Sequence, residues 1–277
     1  MNQTINAETQ ERIVAMREGG EILAQVRQGI LDQVKPGITF EEIEQTAQEL
    51  ILKHKAVPSF PTVDNYSWAT CINKNSGCCH GIPQHGAAEF GDLLTIDVGL
   101  IWKGFHSDTS VTISVGKPSA RLREFLQIGL QSEYAAIQAA KVGNSIHDIS
   151  EAMAEALWIR GCKPIYQLVG HGIGRSLHES PAVPCTPYPK DKKKKLKPYQ
   201  TLAIEVMYAA GNPKLELAED GWTYQTEDGS LTGMFEHTVL ITPQGPEILT
   251  LPLEASQKQR AIQEGRLQQP LEITDLF

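Results

Sequence analysis

Hydrophobic residues near the N-terminus recur with helical spacing. From Glu8 to Gln33 they return every three or four positions, which predicts an amphipathic helix that stops before Pro36-Gly37. Thr39 and Glu42 then have the spacing of a capping box. A second helix is therefore expected to run from Thr39 toward Lys53.

The pattern of these two helices occurs twice in the chain. Residues 35–43 (KPGITFEEI) correspond to residues 141–149 (KVGNSIHDI), and a long helical pattern precedes each of them and another follows. The capping residues of the two copies match in chemistry. This internal duplication predicts two halves of similar structure, about residues 8–115 and 116–252.

Strand-like segments lie between the helical patterns. The runs LLTIDVGLIW and GFHSDTSVTISV flank Lys103-Gly104, which is typical of a tight hairpin turn. A two-residue loop there pairs Asp108 with Gly99, because the strands then align residue by residue. Asp97 and Asp108 are then expected to be diagonal neighbours on one face of the ribbon.

Two carboxylates held this close inside an apolar sheet repel each other, so they need a shared proton or a cation. Other strand-like segments contribute three more groups of ligand chemistry, His171, Glu205 and Glu236. Oxygen ligands with one imidazole suit Mn, Fe(II), Co or Zn. The set predicts a site for two divalent ions. The alternative, carboxylates on a solvated strand, is less consistent with the apolar residues that flank them.

Short motifs in fixed order give the chain a family resemblance. They are Cys79-His80-Gly81-Ile82-Pro83, residues 170–181 (GHGIGRSLHESP), Ala203-Ile204-Glu205 and Phe235-Glu236-His237-Thr238. From about Met16 to Thr242 the chain resembles the type I methionine aminopeptidases. The ligand order Asp, Asp, His, Glu, Glu is shared with other pita-bread metallopeptidases, including the Xaa-Pro dipeptidases. The Cys-His-Gly-Ile-Pro run points more narrowly to the methionine enzymes.

The resemblance implies how the ions are held. Asp97 would chelate one ion, and Asp108 and Glu236 would bridge both ions. His171 and Glu205 would complete the shell of the other ion. Open positions would remain for substrate and for a water that the ions convert to a bridging hydroxide near neutral pH.

The resemblance also implies roles beyond the ligands. Glu205 would shuttle the proton, His178 would hydrogen-bond the scissile carbonyl, and His80 would contact the scissile nitrogen or the departing residue. For both histidines, the alternative is a core histidine satisfied by a backbone carbonyl. Soft or aromatic residues that would form the side-chain pocket, and that could equally be core, are Tyr66, Cys71, Leu177 and Trp222.

The chain departs from the family pattern near the expected site. Leu177 stands where an aromatic residue is usual, and Met234 where a glutamine is usual. Val206 replaces a proline and Ser76 a glutamate. None of these changes removes a ligand. A roomier pocket and less strict selection of methionine are expected.

The implied fold is α+β, the pita-bread fold: a pseudo-two-fold antiparallel sheet with helices on its outer face and a dinuclear metal site on its inner face. One catalytic domain is expected over residues 1–252, with a short helix and loose tail over residues 253–277. Two alternatives remain. One is an Xaa-Pro or broader-specificity aminopeptidase of this fold, and the other is an inactive pita-bread binding module.

Composition narrows the partners and the location. A net charge of −8 argues against a DNA-binding protein, although Lys190–Lys197 could be either a solvated loop or a weak contact with the ribosome. Five cysteines without CxxC spacing fit a reducing compartment. The N-terminus has no signal-peptide pattern, and no apolar run is long enough to span a membrane. We expect a cytoplasmic monomer that acts on the N-terminus of a peptide or nascent chain.

Overall fold

The computed structural model describes residues 6–269 and 271–276. Within these ranges the α-helices are α1 (Ala7–Leu31), α2 (Phe40–Lys53), α3 (Ala120–Ala139), α4 (Ile146–Trp158) and α5 (Leu253–Gln263). The strands are β1 (Val57–Pro58), β2 (Thr70–Lys74), β3 (Gly77–Cys79), β4 (Leu93–Trp102), β5 (Phe105–Ser114), β6 (Lys163–Pro164), β7 (Val169–Gly172), β8 (Glu179–Pro184), β9 (Thr201–Ala209), β10 (Leu215–Leu217), β11 (Tyr224–Thr226), β12 (Thr232–Thr242) and β13 (Gly245–Ile248). Short 3-10 helices occur at Phe60–Thr62, Pro189–Lys193 and Ile273–Asp275.

Ten of the described strands form one antiparallel sheet. Its central path runs β1-β4-β5-β12-β9-β7-β8, while β2, β6 and β13 pair with β4, β9 and β12. Strands β5 and β12, one from each copy of the duplicated pattern, pair at the centre of this path. The remaining strands form a small sheet in the order β10-β11-β3. The α+β class and the pseudo-two-fold antiparallel sheet are as expected.

The helices cover one face of the large sheet. Helix α1 packs on β4 and β5, and α3 packs on β9 and β12, while α2 and α4 pack against α1 and α3. In each of the two long helices, α1 and α3, one position lies so close to neighbouring residues that only glycine fits. A Cβ at Gly20 would lie 2.3 Å from the carbonyl oxygen of Leu249, and one at Gly129 would lie 2.5 Å from the ring of Tyr208. The two helices therefore occupy equivalent places on the outer face of the sheet.

Both capping boxes predicted from the sequence are present. At the start of α2, Glu42 donates its backbone N–H to Thr39 Oγ1 at 3.2 Å, and Thr39 donates its own N–H to the Glu42 carboxylate at 2.8 Å. At the start of α4, the Asp148 carboxylate accepts from the N–H and the hydroxyl of Ser145 at 2.6 and 2.7 Å. These bonds satisfy backbone donors that a helix leaves free at its N-terminus.

The β4–β5 hairpin has the predicted register. Asp108 lies opposite Gly99, and Trp102 lies opposite Phe105 at the end of the ladder. Lys103 and Gly104 both have left-handed backbone angles, with φ of 50° and 80°. Such a turn matches the right-handed twist of the strands it joins.

The C-terminal segment corrects the expectation of a loose tail. After α5 the chain returns to the outer face of the sheet, where Leu271 and Leu276 are buried. Leu271 and Leu276 join the hydrophobic core, and the carbonyl of Leu271 accepts a hydrogen bond from Tyr134 on α3. None of the described helices has the length and apolarity needed to cross a bilayer.

The capping box of α2 gives a stability prediction. Thr39→Ala removes the side-chain acceptor of the Glu42 N–H and should lower the free energy of unfolding by about 0.5–2 kcal/mol. Thr46→Ala, a matched change inside the same helix, should have little effect, because alanine has the higher helix propensity. Urea denaturation of both variants measures this. Equal losses in the two variants would contradict a capping role for Thr39.

Candidate metal centre and substrate cleft

The strand register aligns three of the predicted ligands in one row across the sheet. Asp97 on β4 lies opposite Ser110 on β5. Glu236 on β12 lies opposite both Ser110 and Glu205 on β9. Residues directly opposite each other in a ladder point to the same face. Asp97, Glu205 and Glu236 therefore share one face of the sheet.

The other two predicted ligands form a second row on the same face. Asp108 follows Ser110 by two positions on β5, so its side chain points the same way. His171 on β7 pairs with Ala203, which is two positions from Glu205 on β9. All five ligands predicted from the sequence thus meet on the face opposite the helices.

Distances within the cluster suit a metal site. Asp108, His171 and Glu236 each offer a ligand atom, and these atoms all lie within 4.8 Å of one another. Glu205 Oε1 lies 4.0 Å from His171 Nε2. Among the described residues, the buried atoms Asp97 Oδ1 and Glu236 Oε1 have no hydrogen-bond partner. Buried oxygens without partners, facing a shared centre, are what a bound cation would satisfy.

Burial makes the acidic cluster hard to ionise. Burial first, and then the charges of Asp108 and Glu205, hold the pKa of Asp97 well above its usual value. Burial raises the pKa of Asp108 to about 7. Burial and neighbouring carboxylates also raise the pKa values of Glu205 and Glu236. The carboxylates cannot all be charged together unless a cation neutralises them.

His171 is prepared to act as a neutral ligand. Burial is the main cause that lowers its pKa to about 4, so the ring is uncharged at neutral pH. Its Nδ1 lies 2.9 Å from the carbonyl oxygen of Gly172. Donation of the Nδ1 proton to that carbonyl leaves the Nε2 lone pair facing the carboxylates. A backbone partner of this kind fixes the tautomer of a metal-binding histidine.

The two predicted substrate-facing histidines line the cavity beside the cluster. The His178 ring is 4.5 Å from the His171 ring, at an interplanar angle of 79°. His80 has a left-handed φ of 60° and packs edge-on against Tyr224. Burial lowers the pKa of His80. Partial desolvation by the surrounding protein also lowers the pKa of His178, although this side chain is exposed at the cleft. Both rings can therefore donate an N–H while neutral.

The cavity next to the cluster has a volume of about 270 Å³. All four residues predicted to form the side-chain pocket line it: Tyr66, Cys71, Leu177 and Trp222. The rings of Tyr66 and Trp222 meet edge to face, with centroids 5.1 Å apart. Cys71 and Leu177 are buried and also belong to a hydrophobic cluster, so packing and lining are combined in these two side chains.

Several further residues line the cavity for which the sequence predicted no role in the site. They are Phe60, Val63, Cys79, Gln167, Leu168, Val169 and Met207. Met207 follows Glu205 by two positions, so strand alternation alone would have placed it on the same face. Phe60 and Val63 come from a short 3-10 helix and its end, where no periodicity marks them.

Comparisons with known proteins agree with this geometry. The profile of metallopeptidase family M24 matches residues 14–243. A methionine aminopeptidase of Clostridium perfringens is 38% identical over 87% of this chain and 97% of its own length. The chain belongs to metallopeptidase family M24. Use of divalent metal is therefore part of its chemistry.

Solved structures with this fold differ in how closely they match the chain. A methionine aminopeptidase of Thermotoga maritima superposes with a TM-score of 0.85 at 34% identity, covering 89% of this chain and 99% of that one. An Xaa-Pro dipeptidase of Bacillus anthracis gives a TM-score of 0.69 at 22% identity and is covered over only 60% of its length. The second likeness shows the shared fold alone. The predicted resemblance to the methionine enzymes is confirmed.

Different roles for Glu205 and His178 give a test of the site. Glu205→Ala should lower both bound metal and turnover, because it removes a ligand oxygen. His178→Ala should lower turnover by about 10²-fold or more and leave metal content near that of the wild type. Metal analysis after dialysis and steady-state kinetics measure the two effects, with exposed His85→Ala as the matched control. Equal metal loss in both site variants would contradict the role of His178.

Proposed function

We propose that the protein is a metal-dependent aminopeptidase that removes the N-terminal methionine from peptides and nascent chains whose second residue is small. The observation that carries this proposal is the meeting of five ligand side chains beside a cavity lined by soft and aromatic residues. The similarity to methionine aminopeptidases over most of the chain supports the same activity.

The chemistry of the donors fits a pair of divalent ions such as Mn, Fe(II), Co or Zn. In this proposal the ions would be held by Asp97, Asp108, His171, Glu205 and Glu236, which all line the cavity. When bound, such ions lower the pKa of a water enough for it to attack a peptide carbonyl near neutral pH.

Side chains around the cluster orient the substrate. Cys71 lies directly opposite Asp97 in the β2–β4 ladder, so the side-chain pocket opens next to the Asp97 carboxylate. A substrate whose first side chain fills this pocket has its free α-amino group near Asp97. This arrangement accepts only the first residue of a chain, since a preceding residue would collide with the cluster.

Proton transfer and carbonyl stabilisation fall to three residues. Glu205, at the edge of the cluster toward His171, takes a proton from the attacking water and passes it to the leaving amine. His178 donates an N–H to the scissile carbonyl oxygen as negative charge develops there. His80, which also lines the cavity, contacts the scissile nitrogen or the residue that leaves.

The alternatives have less support. All five ligand residues are present and share one face, whereas an inactive binding module is expected to have lost some of them. An Xaa-Pro dipeptidase has only the general fold in its favour, at 22% identity. A broader-specificity aminopeptidase differs from the proposal in its pocket alone, and peptide kinetics separate the two.

Further parts of the proposal concern organisation and location. We infer one catalytic domain over residues 1–252, with halves of about 8–115 and 116–252, and a C-terminal helix and tail over 253–277. We also infer a monomer, and a cytoplasmic location because the five cysteines are buried and free. The lysines of Lys190–Lys197 are all exposed, while Asp191 is buried and pairs with Lys194 at 2.9 Å. This basic surface suits a weak contact with ribosomal RNA near a nascent chain.

Metal dependence gives the central test. Exhaustive chelation should abolish release of methionine from Met-Ala-Ser, and Mn(II), Co(II) or Fe(II) should restore it, because the catalytic water needs the ions. Metal content is measured alongside the rate. Full activity of a preparation verified to be free of metal would overturn the proposal.

The pocket residue Leu177 gives a specificity prediction. With leucine in place of a ring, an apolar pocket discriminates a methylene or two by only about 1–3 kcal/mol, so Leu- and norleucine-Ala-Ser should be cleaved at a measurable fraction of the methionine rate. Leu177→Phe should narrow this range, while exposed Leu52→Phe should not. Values of kcat/KM for the three peptides decide this. If the wild type already rejects leucine by more than about 10³-fold, Leu177 acts as core packing only.

A further inference from the structure

A buried polar cluster lies on the helix side of the sheet, directly behind the proposed metal ligands. Arg27 on α1 is 2% exposed, and Glu133 on α3 and His237 on β12 are fully buried. His237 follows Glu236, and it pairs with Thr109, which follows Asp108. Because successive side chains of a strand point to opposite faces, this cluster is separated from the ligands only by the thickness of the sheet.

Through Thr109, Arg27 is linked to the backbone carbonyl of Glu236 and to the residue whose backbone N–H bonds the Asp108 carboxylate. Its Nη1 donates to Thr109 Oγ1 at 2.8 Å, and Thr109 Oγ1 donates onward to the carbonyl oxygen of Glu236 at 2.8 Å. The backbone N–H of Thr109 donates to Asp108 Oδ1 at 3.0 Å. A hydroxyl has one proton. Because Arg27 donates to the Thr109 oxygen, the Thr109 proton is directed to the Glu236 carbonyl.

The C-terminal tail, residues 271–276, completes the surroundings of Arg27. Arg27 Nη2 donates to the carbonyl oxygen of Leu276 at 3.3 Å, and the backbone of Leu276 also hydrogen-bonds His237. Leu276 is fully buried. Asp275 anchors the tail through an ion pair with Lys258 on α5 at 2.6 Å. The matched region of the family ends at residue 243, so the tail lies outside it.

An arginine inside the protein needs this set of partners. Burial lowers the pKa of Arg27 to about 10, and the neighbouring Glu133 opposes that decrease. Removing one partner of a buried charge is strongly unfavourable, because the charge stays desolvated. With the tail displaced, water would enter beside Arg27, and the orientation of Thr109 would no longer be fixed.

We propose that Arg27 is a positioning residue of the metal centre, held in place by the C-terminal tail and acting on Asp108 and Glu236 through Thr109. The tail thereby contributes to metal affinity from the opposite face of the sheet. This inference rests on the metal site proposed above. Groups that orient metal ligands in this way typically change metal affinity by about 10–100-fold when they are removed.

The Thr109 hydroxyl is tested by two full-length variants. Thr109→Val keeps the shape and removes the hydroxyl, whereas Thr109→Ser keeps the hydroxyl. Metal-free protein is titrated with Co(II), and binding is followed by the visible absorption of the bound ion. Thr109→Val should bind Co(II) about 10-fold more weakly with an altered spectrum, and Thr109→Ser should resemble the wild type.

The tail is tested by placing a cation at its buried end. Leu276→Lys puts a positive charge where the Leu276 side chain packs in the hydrophobic core and should displace the tail, while Leu267→Lys is the same change at a position that is 44% exposed. Only Leu276→Lys should weaken Co(II) binding, again by about 10-fold. Combined with Thr109→Val it should add little more, since both changes interrupt one path.

The outcomes separate this inference from the proposed function. If the wild type binds no Co(II), both fail. If the wild type binds Co(II) and Leu276→Lys lowers only the melting temperature of the metal-free protein, the tail is structural and this inference alone is overturned. Equal losses in Thr109→Val and Thr109→Ser, or independent effects of Thr109→Val and Leu276→Lys, also overturn it.

Discussion

Repulsion among buried carboxylates is the constraint on which the rest of this structure depends. Four acidic side chains, Asp97, Asp108, Glu205 and Glu236, lie together on one face of an apolar sheet. Two unit charges 4 Å apart repel by about 4 kcal/mol at an effective dielectric constant of 20. The summed repulsion of several such pairs would be comparable to the whole free energy of unfolding of a typical domain. The fold tolerates the arrangement because the groups either take up protons or bind cations.

The pseudo-two-fold sheet is what holds these groups in place. Each proposed ligand lies on a strand that is hydrogen-bonded on both sides, so the backbone cannot relax to separate the charges. The first copy of the duplicated pattern supplies Asp97 and Asp108, and the second supplies His171, Glu205 and Glu236. The copies meet where β5 pairs with β12. A site built from both halves therefore forms only when the whole sheet does.

Departures from the family pattern have local physical reasons in some places. Met234 lies opposite Met207 in the β12–β9 ladder, and its backbone N–H and carbonyl both bond the hydroxyl of Thr112. Because Thr112 satisfies the backbone of Met234, no polar side chain is needed at this position for that purpose. The Met234 side chain packs in the apolar core. At the pocket, Phe60 supplies a ring near Tyr66, with centroids 6.3 Å apart. Phe60 and Leu177 line the same cavity, so the pocket contains this aromatic ring although Leu177 replaces another.

Local sequence determined much of the architecture of this protein. Periodicity and capping residues predicted α1, α2 and the duplicated helices, because these features depend on residues three or four positions apart. The Lys103-Gly104 turn likewise fixed the hairpin register, and with it the shared face of Asp97 and Asp108. The motifs also pointed to the five candidate ligands, which the strand register brings to one face of the sheet. Only the tertiary structure decided that Phe60 and Val63 line the cleft, and that the tail is buried beside Arg27. Those contacts join residues far apart in sequence, and no local pattern encodes the long-range packing that brings them together.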